Sequence, residues 1–111
     1  MNSSQLQRLV KSALERLSVP VTKDFSEYCN EYPHCVYREI SNVPALHGDN
    51  REVAFRAVYQ VAIVTNDDNY EQLESAVEQA MFEVGFMRTD AQDIFDGNFN
   101  RVLRFAIVAT K

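Results

Sequence analysis

The apolar positions of the chain change period several times, and each change marks an element. Leu6, Leu9, Val10, Ala13, Leu14 and Leu17 recur three and four residues apart, the spacing that lines one face of an α-helix. Ser4 with Gln7 fits a capping box for its start, the hydroxyl and the amide satisfying free backbone N–H groups. Pro20 stops the helix, and 18–22 begins a first short strand. Residues 24–34, DFSEYCNEYPH, read as a polar loop in which Tyr28, Tyr32 and Pro33 pack onto the core edge. A second strand is expected over 35–40, where Val36, Arg38 and Ile40 alternate with Tyr37 and Glu39.

Residues 41–52, SNVPALHGDNRE, are dense in turn formers and predict a long exposed connection. Residues 53–64 then make the longest strand candidate. Val53, Phe55, Ala57, Tyr59, Val61 and Ile63 share one face. The other face is polar at its start and apolar at its end, as suits a central strand with one covered and one partly covered side. Asp68 with Glu71 is a second capping signal. The helix it opens runs to Val84 with Leu73, Ala76, Val77, Ala80, Met81 and Val84 as its buried stripe. Gly85 stands where a left-handed residue closes such a helix, and Phe86 supplies the accompanying apolar contact.

The tail reads as a hairpin. Residues 86–95 are strand-like but polar in the middle, Asp96-Gly97-Asn98 is a turn signal, and 99–109 alternates well. Leu103, Phe105 and Ile107 face one way, and Val102, Arg104, Ala106 and Val108 the other. The order is α-β-β-β-α-β-β. An α+β domain with a mostly antiparallel sheet of about five strands and both helices on one face buries these stripes economically.

With 111 residues the chain is long enough for one core, so 1–111 is read as a single domain. A net charge of −5 disfavours a nucleic-acid-binding module, which needs a basic face to displace phosphate counterions, and disfavours adsorption to anionic membranes. The opening MNSSQLQRLVKSALERL is too interrupted by polar residues for a signal peptide, and no apolar run is long enough to span a bilayer. Synthesis in the cytosol is the expectation.

Chemistry is sparse. Cys29 and Cys35 are too few for a disulfide scaffold and have the wrong spacing for a zinc knuckle, so they read as two reduced thiols flanking a bend. His34 adjoins Cys35, but neighbours on a strand point to opposite faces and are poorly placed to exchange a proton. His47 and Asp49 lack further metal ligands nearby, and turn chemistry accounts for them. Asp67, Asp68, Glu71 and Glu74 open a helix, where the dipole stabilises carboxylates. Arg88, Arg101 and Arg104 read first as solvated strand residues pairing with Asp90, Asp93 and Asp96, and second as a charged subunit contact. No catalytic, cofactor or metal residues are assigned, and the chain is not expected to be an enzyme.

Several stretches together resemble a family. They are the amphipathic first helix, "PALHGDN", "RAVYQVAIVTNDD" and above all "YEQLESAVEQAMFEVGFMRTDAQDIFDGNFNRVLRFAI". The chain is similar over most of residues 4–109 to the small tail-terminator, or tail-completion, proteins of long-tailed phages and prophages. There a helix ending in "GF.R" is followed by a polar segment, an acidic turn and a strand like "RVLRFAI". The resemblance implies a virion protein, assembled in the host cytoplasm, that caps the head-proximal end of the tail tube, ends its polymerisation and joins tail to head. The implied partners are copies of itself in a hexameric ring, the major tail tube protein and a head or neck connector protein. DNA would pass through the ring without sequence-specific binding, and no cofactor is implied. Candidate subunit contacts are Leu46, His47, Asp49 and Arg51 in the connection, and Arg88, Asp90, Asp93 and Arg101 in the last hairpin. The rival readings are a neck or head-completion protein and a small cytosolic ligand-binding regulator, which needs a concave apolar pocket.

Overall fold

A computed structural model describes residues 1–23, 31–48, 51–66, 70–95 and 97–110, with the backbone alone for 46–48, 51 and 52. Helix α1 (Ser3–Glu15) is followed by β1 (Val21–Lys23), β2 (His34–Gly48) and β3 (Arg51–Thr65). Helix α2 (Glu71–Glu83), β4 (Met87–Phe95) and β5 (Phe99–Thr110) complete the expected order. The described strands form one five-stranded sheet in the order β1-β2-β3-β5-β4, antiparallel except where β1 pairs with β2.

Both helices lie on the same face because both stripes need the same apolar surface. Leu6, Val10 and Leu14 of α1 and Val77 and Met81 of α2 pack against Tyr37, Phe55, Tyr59, Val61, Ile63, Leu103 and Phe105 of the sheet. Phe86 joins them, its ring edge-on to Tyr59 with 5.7 Å between centroids. Burial, then the charge and hydrogen bond of Glu39, push the Tyr59 phenol well above its ordinary pKa. A smaller cluster of Val36, Ala62, Val64 and Val102 sits on the opposite face of the sheet. The partly covered second side expected for β3 is this cluster.

Four expectations need correction. The first helix is capped by Asn2: its side chain accepts from the Gln5 N–H, and the Gln5 side chain accepts from the Asn2 N–H. The motif expected at Ser4 and Gln7 thus stands two residues earlier, since an Asx carboxamide caps as well as a hydroxyl. The expected connection over 41–52 is strand over its described residues: β2 and β3 pair from His34↔Val64 out to Gly48↔Arg51. Its turn formers are absorbed by register shifts after Glu39, after Pro44 and at Leu46, where bulges take up residues that regular pairing would reject. Tyr32 and Pro33 do not pack down on the core but remain exposed, Tyr32 stacking near the His34 ring. The N-cap position of α2 is held by Tyr70, whose side chain makes no capping bond. Asp67, Asp68, Tyr28, Cys29 and Asp96 lie outside the described residues.

The end of α2 is as expected. Gly85 has φ +102°, its N–H donates to the Phe82 carbonyl and that of Phe86 to the Met81 carbonyl, so the last helical carbonyls are satisfied. A Cβ at Gly85 would meet Ile107 Cδ1 at 3.2 Å. Gly85→Ala is therefore expected to lower stability by about 1–2 kcal/mol, since an L side chain resists this backbone conformation. Urea unfolding of the two proteins measures it, and an unchanged midpoint would contradict the assignment.

Candidate functional site

Among the described residues, those singled out for chemistry do not converge. Cys35 sits in the main core with no exposure, and burial pushes its thiol up to about 12. His34 is buried elsewhere, its Nδ1–H donating to the Glu31 carbonyl at 2.7 Å. Among the described residues no group of three or more His, Cys, Asp or Glu side chains is placed to hold a metal ion. Among the described residues no helix is long and apolar enough to cross a membrane.

What the fold does bring together is an ion-pair ladder along α2, β4 and β5. Arg101 reaches Glu74 at 3.1 Å and Asp93 at 3.2 Å, and its guanidinium lies 5.7 Å from the centre of the Tyr70 ring. Partial burial would lower the guanidinium's pKa, but Glu74 first and then Asp93 raise it overall. The Tyr70 hydroxyl donates to Asp93 at 3.1 Å, and desolvation followed by that bond raises its phenol. Arg88 pairs with Glu78 at 2.7 Å and lies 3.9 Å from Glu74, while Arg104 pairs with Asp90 at 2.9 Å. Pairing across the hairpin is thus what Arg101 and Arg104 do, and Arg88 instead reaches back to the helix. Alternation sorts the three by face. Arg101 and Arg88 face the helices, whereas Arg104 lies on the other side of the sheet.

The second grouping is at the sheet's two sides. β4 is the outer strand on one side, and eight of its nine residues are exposed. It carries Met87 at 63% and Phe95 at 68% exposure, values that rule out a core role within one chain. Phe82 of α2 lies beside Met87 at one end, and Phe99 packs on Phe95 with 5.1 Å between ring centroids at the other. On the opposite side, β1 covers β2 only from Cys35 to Tyr37. Beyond Tyr37 no described strand pairs with the outer edge of β2, where Ile40 and Val43 are exposed.

Of the candidate contacts, Arg88, Asp90, Asp93 and Arg101 belong to the β4–β5 side, whereas Leu46, His47 and Arg51 belong to the far end of the β2–β3 hairpin. The side chains of Leu46, His47 and Arg51, and all of Asp49, lie outside the described residues. Sequence reasoning missed Ile40, Val43, Phe82 and Phe95. Phe82 had a legible signal, an aromatic on the polar side of an amphipathic helix, but Ile40 and Val43 needed the extra length of β2.

No protein-family model matches the chain, and no curated protein matches it in sequence. Among solved structures it is similar to the gp17 protein of bacteriophage SPP1, with a TM-score of 0.49 and 19% sequence identity over 95% of this chain and 90% of that one.

Two measurements follow. Arg101→Met keeps the apolar stem but leaves Glu74 and Asp93 without their shared cation, so stability should fall by about 1–3 kcal/mol. In the double variant Arg101→Met/Glu74→Gln the loss should be smaller than the sum of the single losses, and strict additivity would deny the coupling. Alkylation of Cys35 at pH 8, followed on its own peptide by mass spectrometry, should be at least about 100-fold slower in the native protein than in denaturant. Equal rates would place the thiol at the surface.

Proposed function

We propose that the chain is an assembly protein of a long-tailed phage or prophage virion. It sits at the head-proximal end of the tail tube, ends the tube's polymerisation and joins tail to head. On this reading its work is non-covalent, docking against copies of itself in a sixfold ring and against the tube and neck proteins on either side.

The observation that carries the reading is the pair of open edges on opposite sides of one sheet, β4 and the part of β2 beyond β1, both bearing exposed apolar side chains. Edge strands keep unpaired backbone groups that invite another strand, and exposed Met87, Phe95, Ile40 and Val43 remove water when covered. A monomer designed to stay single hides or charges such edges. The motif block around "GFMRTDAQDIFDGNFNRVLRFAI" supports the tail-end assignment in particular. The acidic balance fits a channel that phosphate must traverse without sticking. A ligand-binding regulator finds less support, because the described clefts are open and mixed in polarity.

The test is tube length. Added to polymerising major tail protein, the chain should produce tubes that stop growing and carry a ring at one end, seen by negative-stain electron microscopy. His47→Ala should act like the wild type. Tubes of uncontrolled length in the presence of the wild-type chain would refute the terminator role.

A further inference from the structure

The far end of β4 holds a cleft whose chemistry the ion-pair ladder engages only in part. Tyr70, Asp93, Ile94, Phe95, Phe99 and Asn100 line about 370 Å³ of open space where α2 begins and the β4–β5 hairpin closes. Tyr70 stands at the N-cap of α2 and is held there by its hydroxyl bond to Asp93. Phe95 and Phe99 are paired across the two strands, which brings their ring centroids to 5.1 Å. Ile94, Phe95 and Phe99 are exposed, so this apolar wall is open to a ligand.

The polar part of the wall selects for positive charge. Asp93 Oδ1 accepts from the Tyr70 hydroxyl at 3.1 Å and from Arg101 at 3.2 Å, whereas among the described residues Asp93 Oδ2 has no hydrogen-bond partner. Asp93 is exposed, so a donor entering the cleft can reach that oxygen. Arg101 does not neutralise the node, because it is shared between Asp93 and Glu74. The sequence neighbours of Tyr70 and Phe95 add the carboxylates Asp67, Asp68, Glu71 and Asp96 and no cation.

We infer that this cleft binds an arginine side chain of a partner protein, its guanidinium donating to Asp93 Oδ2 and lying over the Phe95 and Phe99 rings. A cation is drawn to the negative face of an aromatic ring, and the planar, weakly hydrated guanidinium gives up less water there than an ammonium does. A hard metal ion takes oxygen ligands and gains nothing from the apolar wall. Asp93, Ile94 and Phe95 belong to β4, the outer strand, so an extended partner segment laid along that edge carries its arginine into reach. The outer strands of a second copy are a poor source: β1 has no arginine, Arg88 of β4 is held by Glu78, and Arg38 of β2 already has an interaction. The site stands apart from the tail-end role, since it requires a protein partner and no tube.

Titration of the isotopically labelled chain with N-acetyl-arginine methylamide at constant ionic strength, followed by amide chemical shifts, tests this. Saturable shifts should centre on Tyr70, Asp93, Phe95 and Phe99. The citrulline analogue, alike in shape but uncharged, should give none, and the lysine analogue should bind at least about twofold more weakly. Phe95→Ala removes an exposed ring that the core does not need, and Asp93→Asn keeps an acceptor for Tyr70. Each should weaken the arginine probe about two- to fivefold while shifts elsewhere stay in place. The absence of saturable shifts, equal binding of the citrulline or lysine analogue, unchanged binding by both variants, or magnesium moving the same four residues overturns the inference. Shifts at those residues on concentrating the protein alone put a second copy in the site and overturn the partner assignment. Saturable arginine binding by a chain that leaves tubes uncontrolled removes the tail-end role and leaves the site standing.

Discussion

Every other feature is arranged around β3, the middle strand of the sheet, which has partners along both edges and apolar neighbours on both faces. Phe55, Tyr59, Val61 and Ile63 point to the helices, and Ala62 and Val64 to the smaller cluster behind. Pairing with β2 on one side and β5 on the other satisfies its backbone, so none of its buried amides has to reach solvent. Because the large side chains are on one face only, both helices must settle there. They share the space by lying over different halves of the sheet, α1 toward β1 and β2, α2 toward β5 and β4. The carboxylates Glu71, Glu74, Glu78 and Glu83 of α2 are thereby placed beside β5 and β4.

The sheet grows outward from this strand and stops with hydrogen-bonding capacity left over. A chain of this size has too little apolar material to cover a long sheet on all sides. What it has is spent on one face, leaving β4 and the far part of β2 with exposed backbone and isolated Met, Phe, Ile and Val side chains. Such a molecule is well suited to being completed by others. The ion-pair ladder holds that outer strand in place: Arg101, Arg88 and Arg104 tie β4 to β5 and α2. Exposed pairs of this kind add little stability singly, but the Arg101 node is half-buried and joins two carboxylates and a tyrosine.

The largest correction has a long-range cause. At 41–52 the composition favours turns, yet β3 offers a continuous row of partners, and a strand already paired over 34–39 continues along it. Bulges accommodate the residues that regular pairing would reject. At the start of α1 two caps compete, and Asn2 takes the role expected of Ser4, its motif with Gln5 closing two residues earlier. Composition and local signals list the options, and long-range pairing chooses among them.

The sequence by itself determined the order of elements, the two amphipathic stripes, the Gly85 closure and the alternation of β3 and β5, because period and capping depend on residues a few positions apart. It also determined that reactive groups are few. Only the tertiary structure decided the length of β2, the partners of Arg88, Arg101 and Arg104, and the placement of the two helices over different halves of the sheet. Those depend on which strands become neighbours, and neighbours such as Glu74 and Arg101 are 27 positions apart along the chain. Side-chain spacing along a sequence carries no record of such a contact; folding the sheet creates it.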